Sequence, residues 1–390
     1  MHRSASPARA LLRMGTCLVA AVAAGACGVV PRTGPAAAGT DRPRSLILLV
    51  TDGGGAATWS VAEVVRGADL AVASMPVAGL VETHNASGGI TDSAAGATAY
   101  SIAAKTVDGA IGVDPTCREL WLRDSLAVLS GRTACERPQT LLERAEAAGK
   151  ATGLITTAPI TDATPAAFAA HVPDRSMADD IARQMLASGV DVLLGGGRGS
   201  FPGAGTSDGL LAAACAEADC PESAAALEAT PASERRLIGL FGAGSLPRAG
   251  ERSPDLPAMT RAALERLALD PDGFFLLVET EGTDSEQHAN QPFAVVSAEI
   301  AELDRAVAVA LDFQVAHPGT LVVVTADHET GGMALYRVGG TWTLAYTSGT
   351  HSGSMVPLFA SGPGAERLAG IHRNDEVGRI LRELLVGGDG

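Results

Sequence analysis

The chain has 390 residues, 46% of them hydrophobic, and sets 29 basic side chains against 44 acidic ones for a net charge of −15. Lys105 and Lys150 are its only lysines and no basic run occurs, which disfavours a nucleic-acid binder, whose footprint is positive. An anionic substrate would have to be drawn in by something other than side-chain charge.

Residues 1–27 read as an export signal. His2, Arg3, Arg9 and Arg13 precede CLVAAVAAGA, a short apolar run too brief to span a bilayer. Cys27 follows Ala24-Gly25-Ala26, a lipoprotein-type cleavage box without its usual leucine, so a lipid anchor at Cys27 and plain cleavage nearby both stay open. The expected location is the periplasm or cell envelope, or otherwise the medium. Removing the segment takes away three arginines and no acid, moving the charge from −15 to −18. Residues 28–44, rich in Pro, Gly and Ala, form a linker. Residues 45–390 are expected to make one domain.

Within that domain, strand-like and helix-like runs alternate. SLILLV (45–50) is continuous and apolar, as a strand buried on both faces requires. A helical segment through TLLERAEAAGK (140–150) leads to ATGLITT (151–157), and IARQMLASG (181–189) leads to VDVLLGG. Residues 196–256 look less regular. MTRAALERLAL (259–269) precedes FFLLVET (274–280), and an amphipathic run from Pro292 to about Ala316 precedes TLVVVTADH (320–328). MVPLFASG (355–362) and NDEVGRILRELLVG (374–387) close the chain. The alternation predicts an α/β three-layer sandwich: a central, mostly parallel sheet with helices on both faces. Cys117, Cys135, Cys215 and Cys220 remain outside the signal, and proximity favours the disulfides 117–135 and 215–220.

Acids mark the carboxyl ends of the apolar runs. Asp52 follows SLILLV, Glu279 follows FFLLV, and Asp327-His328 follows TLVVVTA. Open α/β sheets build their sites at that edge, so three such acids point to one carboxylate-lined cleft. Carboxylates so gathered repel unless cations neutralise them. Asp284 and His288 are four apart and can share one helical face and one ion; His351 adds a third imidazole. Mixed Asp/His ligation suits zinc, and oxygen ligation by Glu279 and Thr164 suits magnesium. Several divalent ions would outweigh the four acids Asp52, Glu279, Asp284 and Asp327 and make a cationic pocket on an acidic protein.

ITDSAAGATAY (90–100) then acquires a use. Ser93 at a helix N-terminus meets free N–H groups and the positive end of the dipole, and a nearby cation would make it a nucleophile. The small residues after it let the helix lie close to the sheet. Asp92 can cap that helix or orient a basic group, and a plain N-cap is the commoner use of such a pair.

These residues resemble the alkaline phosphatase family. SLILLVTDGGG, TDSAAGATAYSIAAKTVDGAIGVD (91–114), ITDATPAAFAAHVPDR (160–175), FFLLVETEGTDSEQHAN, TADHETGG and GTHSG follow one another in family order across nearly the whole mature chain. The resemblance implies a hydrolase of phosphate monoesters that passes through a phosphoserine on Ser93, with two zinc ions and one magnesium. It implies Asp284, His288 and His351 for one zinc and Asp52, Asp327 and His328 for the other. Asp52, Thr164 and Glu279 would hold magnesium, with Asp162 behind them. Arg175 would bind two phosphate oxygens and Asp92 would fix Arg175. It further implies a homodimer, and a zinc-rich site that works through deprotonated water and serine predicts an alkaline pH optimum. Two departures stand out: Thr280 and Glu281 replace small residues, and Ser285 stands where relatives often carry Lys, His or Trp. An open pocket and faster phosphate release are expected from Ser285. The competing readings are a phosphodiesterase or nucleotide pyrophosphatase of the same superfamily, and a non-catalytic envelope lipoprotein that binds metal or phosphate.

Overall fold

The structure, a computed structural model, describes residues 42–129, 135–201 and 209–388. The expected signal, Cys27 and the linker up to residue 41 lie outside the described residues.

The strands in chain order are β1 (Ser45–Thr51), β2 (Val77–Glu82), β3 (Ala151–Pro159), β4 (Val192–Gly196), β5 (Leu237–Leu240) and β6 (Phe274–Thr280). There follow β7 (Thr320–Ala326), the two-residue β8 (Glu329–Thr330), β9 (Ala334–Val338) and β10 (Thr341–Ala345). The two-residue β11 (His351–Ser352), then β12 (Val356–Ser361) and β13 (Gly370–Arg373), complete the series. Nine of them form one sheet in the order β13-β2-β12-β7-β1-β6-β3-β4-β5. β12 runs antiparallel to both its neighbours, β7 and β2, and every other pairing in this sheet is parallel.

β1 shows why the expected sandwich forms. Its side chains alternate between two cores: Leu46, Leu48 and Val50 join one, Ile47 and Leu49 the other. Every residue of the strand is buried, which only a sheet covered on both faces permits. The first core packs the helices Ser93–Ile102, Leu141–Ala147, Ala163–Ala169, Ala178–Ala187 and Asn374–Val386; the second packs Ala56–Arg66, Leu256–Leu267 and Phe293–Ala316.

Three strands of this nine-stranded sheet escape the sequence reading. β2 and β13 lie at one edge of the sheet, β2 half-exposed along most of its length and β13 exposed, so neither carries a continuous apolar run. β5 is four residues long and pairs on one side only with β4, inside the stretch that looked irregular. The segment before residue 140 is not one helical run: β2 and the helices Ser93–Ile102, Pro115–Arg123 and Ser125–Leu129 precede Leu141–Ala147. Disulfides join Cys117 to Cys135 and Cys215 to Cys220, the pairings that proximity favoured. Among the described residues no helix is long and apolar enough to cross a membrane.

Candidate active site

The acids at the ends of β1, β6 and β7 do converge. β1 lies between β6 and β7 in register, with Thr51 opposite both Thr280 and Ala326, so Asp52 and Asp327 leave the sheet side by side, while Glu279, opposite Val50, sits just inside the end of β6. All three are buried, as is His328. Asp52, Asp327 and His328 each place a ligand atom within 4.8 Å of the others, and Asp284, His328 and His351 do the same. Asp52 Oδ1, Asp327 Oδ2 and Thr164 Oγ1 are buried without a hydrogen bond. Buried polar atoms are normally satisfied, so the orphaned Asp52 and Asp327 oxygens, 3.6 and 3.3 Å from His328 Nε2, fit a cation and not bare protein.

The imidazoles are set for the same purpose. His351 Nδ1 bonds the Thr91 carbonyl at 2.8 Å, and His288 Nδ1 bonds the Gly349 carbonyl at 2.8 Å. Each bond fixes the tautomer and leaves Nε2 as the free ligand atom. Those Nε2 atoms meet at 3.0 Å, and His288 Nε2 lies 3.2 Å from Asp284. His328 stacks on His351 with ring centroids 3.6 Å apart, and its Nε2 lies 3.2 Å from Ser93 Oγ. One imidazole therefore stands between the serine and the outer cluster.

Ser93 opens the helix Ser93–Ile102, every residue of which is buried. Asp92 is the N-cap, accepting from Ala95 N at 3.0 Å; its other oxygen accepts from Gly109 N at 3.0 Å and from Arg175 at 3.2 Å. It thus both caps the helix and orients the arginine. Asp162 takes the second arm of Arg175 at 3.2 Å, a contact not foreseen from the sequence, where Asp162 was placed behind magnesium. The thinness of the helix has a local cause at Gly96: a Cβ there would sit 2.8 Å from the Asp327 carbonyl oxygen. Gly53 is constrained twice, by φ of +70° and by a would-be Cβ 2.8 Å from Asp284 Oδ1. Its N–H instead donates to Asp327 at 3.2 Å.

Charge is strained wherever it is buried. Burial pushes Asp52 well up, with Asp327 and Asp284 adding to it. Burial likewise raises Glu279 to about 8 and Asp327 to about 7, and holds His328 down at about 3. Asp284 goes the other way: burial opposes ionisation, but His288, His328 and Thr330 hold it down at about 2. Its hydrogen bond lifts His288 to about 9. Burial works against the Arg175 charge too, yet Asp162 and Asp92 outweigh it and keep the guanidinium protonated.

Several supporting residues went unnoticed in the sequence. Thr156 donates to Glu279 at 2.5 Å from inside β3. Thr330 Oγ1 donates to Asp284 and lies 3.3 Å from His328 Nδ1. Gln287 bonds Thr58 and the Gly53 carbonyl, each at 2.9 Å. The usable signal was a hydroxyl inside an apolar run, as in LITT of β3.

Sheet, strand-end acids, paired imidazoles and a capped serine define a metal-dependent hydrolase site of the α/β class. The alkaline phosphatase family model matches residues 43–344, and the chain belongs to that family. It is 36% identical to alkaline phosphatase 3 of Bacillus subtilis (strain 168) over 255 residues, which are 63% of this chain and half the length of that relative. It is 33% identical to the streptomycin-6-phosphate phosphatase of Streptomyces griseus, covering 92% of this chain and 93% of that one. The solved alkaline phosphatase of the Antarctic bacterium TAB5 superposes with a TM-score of 0.78 at 29% identity, over 89% of this chain and all of that one.

Proposed function

We propose that this protein hydrolyses phosphate monoesters by transferring the phosphoryl group to Ser93 and then to water. The observation that carries it is the 3.2 Å approach of Ser93 Oγ to His328 Nε2 at the head of a buried helix, beside orphaned carboxylate oxygens. Asp284, His288 and His351 would hold one zinc ion, Asp52, Asp327 and His328 a second, and Asp52, Thr164 and Glu279 a magnesium. A variant of the TAB5 enzyme has been solved with magnesium bound. Such ions supply Lewis-acid stabilisation of the transferring phosphoryl group and deprotonated oxygen nucleophiles near neutral pH.

The chain's own residues do the rest. The free N–H groups of the helix Ser93–Ile102 face the incoming anion, and its dipole favours negative charge at Ser93. Arg175 presents a two-pronged donor held from behind by Asp92 and Asp162, so it meets phosphate oxygens without searching for its rotamer. The Ser93 Oγ–P bond forms as the ester P–O bond breaks and the alcohol leaves; water then attacks phosphorus, releasing phosphate and restoring the serine. A monoester has one more anionic oxygen than a diester, and Arg175 is the group placed to use it. The catalytic unit is taken as residues 45–390, exported by residues 1–27 and working as a homodimer. Mass spectrometry of the mature N-terminus distinguishes a lipid on Cys27 from plain cleavage.

The test is elemental analysis of the purified protein, with assays of wild type and Ser93→Ala on 4-nitrophenyl phosphate and on its bis-ester. The expected result is zinc and magnesium in the protein, monoester turnover well above diester turnover, and loss of both turnovers in the variant with its metals retained. Preference for the bis-ester would favour a phosphodiesterase. No hydrolysis with metals loaded would favour a binding protein.

A further inference from the structure

A cleft of about 360 Å³ lies beside the nucleophile loop, lined among others by Glu82, His84, Ile90, Gly353 and Met355. It adjoins the site directly. Ile90 precedes Thr91, whose carbonyl holds His351 at 2.8 Å, and Gly353 follows two residues after that histidine. A Cβ on Gly353 would lie 3.9 Å from the Ile90 side chain, an ordinary contact distance, so the two residues sit close together in the lining. A comparable cavity lined by Arg44, Phe313 and His317 sits where β1 and β7 begin, at the far end of the sheet from the chemistry.

The wall of the cleft is fixed. Asn85 Oδ1 accepts from Ser87 N and Gly89 N, each at 3.0 Å, closing the loop that carries Ile90. Asn85 Nδ2 donates at 2.8 Å to Asp108, which also accepts from Asp92 N at 3.3 Å, so loop and helix cap share an anchor. On the other side Lys105 bonds the His84 carbonyl and, at 2.6 Å, Asn374. Yet this clamped rim leaves Ile90 51% and Met355 38% exposed. A clamped loop carrying Ile90, together with Met355 just before β12, sets two aliphatic side chains along one cleft beside the reacting centre and offers a preformed apolar surface.

We propose that the cleft receives the alcohol part of the substrate, and that Ile90 and Met355 select monoesters of bulky apolar or aromatic alcohols over small hydrophilic ones. The proposal rests on the phosphatase reading above. With the phosphoryl group held between Ser93 and Arg175, the departing oxygen would lie on the side of His328 and of His351 stacked on it at 3.6 Å, so the carbon skeleton attached to it would extend towards Ile90 and Gly353, which flank His351 and its Thr91 partner. Glu82 and His84 give the far wall a polar edge for a hydroxyl or amine on that skeleton.

The test compares kcat/KM for 1-naphthyl phosphate and for glycerol 3-phosphate in the metal-loaded wild type, Ile90→Ser, Met355→Ala and the double variant. Inhibition by inorganic phosphate serves as the control that has no alcohol. The double variant should lose about tenfold on the naphthyl ester, while the glycerol ester and phosphate inhibition stay within about twofold. Equal losses on both esters, or no loss on either, would overturn the subsite and leave the phosphatase intact. If wild type turns over neither ester, the phosphatase reading fails first and the subsite goes with it.

Discussion

The two histidine–carboxylate groups of the site solve the problem of buried charge in opposite ways. The outer group is half-open to water, with the His288 side chain 38% exposed, and its members neutralise one another: Asp284 is held ionised while His288 is lifted to about 9. The inner group has no such escape. Asp52, Asp327 and His328 are buried, burial keeps the imidazole neutral, and the acids are pushed towards holding protons. The outer group can therefore stay charged with its own members as partners, whereas the inner acids ionise readily only beside a cation and otherwise hold protons. Asp284 joins the two, grouped with His328 and His351 and hydrogen-bonded through Thr330.

The largest effect should come from Ser93, which meets the inner group at His328. Ser93→Ala removes the nucleophile while leaving the ligands, so turnover should fall at least a thousandfold with the metal content unchanged. Retained turnover would move the chemistry away from the serine. Loss of metal together with activity would make Ser93 part of the inner cation site itself.

The inner group also predicts how the metal-free protein responds to pH. Glu279 near 8 and Asp327 near 7 hold protons that the unfolded chain releases at about pH 4. Raised acids favour the folded state at low pH, and that stability is lost as pH rises through the folded values. His328, held near 3, works in reverse, but its contribution is complete once pH exceeds about 6.5. His288, raised to about 9, adds to the decline above that point. Chelated protein should thus lose on the order of 2–3 kcal/mol between pH 6.5 and 8.5, and metal-loaded protein should not. Denaturant unfolding of both forms at the two pH values measures this. Stability of the chelated form that holds or rises over the interval would contradict the contrast between the groups.

Arg175 lies outside both groups and should matter less than Ser93. Arg175→Ala should lower kcat/KM about a hundredfold and weaken phosphate inhibition, and it leaves Asp92 and Asp162 facing one another. Arg175→Lys should recover little, since an ammonium cannot span two phosphate oxygens and both supporting acids. Full recovery by lysine would mean the arginine supplies charge alone.

How much of this was legible depends on what kind of signal each part leaves. The acids at the ends of β1, β6 and β7 were visible because strands buried on both faces are unbroken apolar runs, and a charge ending one stands out. β2, β5 and β13 were not, because edge or four-residue strands need no such run. Asp92, Ser93 and Gly96 could be read together as a capped, thin helix, but the 2.8 Å clearance that forbids a Cβ at Gly96 is a fact of tertiary packing. The arm from Arg175 to Asp162 escaped for a related reason. The two acids that share the arginine lie 83 and 13 residues from it, and no local pattern records that they meet.

The smallest effect concerns the outer rim at Ser285. Ser285 Oγ donates to Glu281, whose carboxyl is raised to about 7 by burial first and by Asp162, Asp284 and Glu299 after it. The serine is thus turned onto a neighbouring acid and brings no positive charge to the phosphate. Ser285→Lys would place an ammonium among Glu281, Asp162 and Asp284, with its flexible stem free to lean towards a bound anion. Inorganic phosphate should then inhibit several-fold more strongly, and kcat should fall if release limits turnover. Glu281→Gln is the companion variant: it removes a partial negative charge and should strengthen phosphate inhibition in the same direction, by less. Unchanged inhibition in Ser285→Lys would show that the new ammonium is spent on Glu281 and that the rim does not tune phosphate affinity.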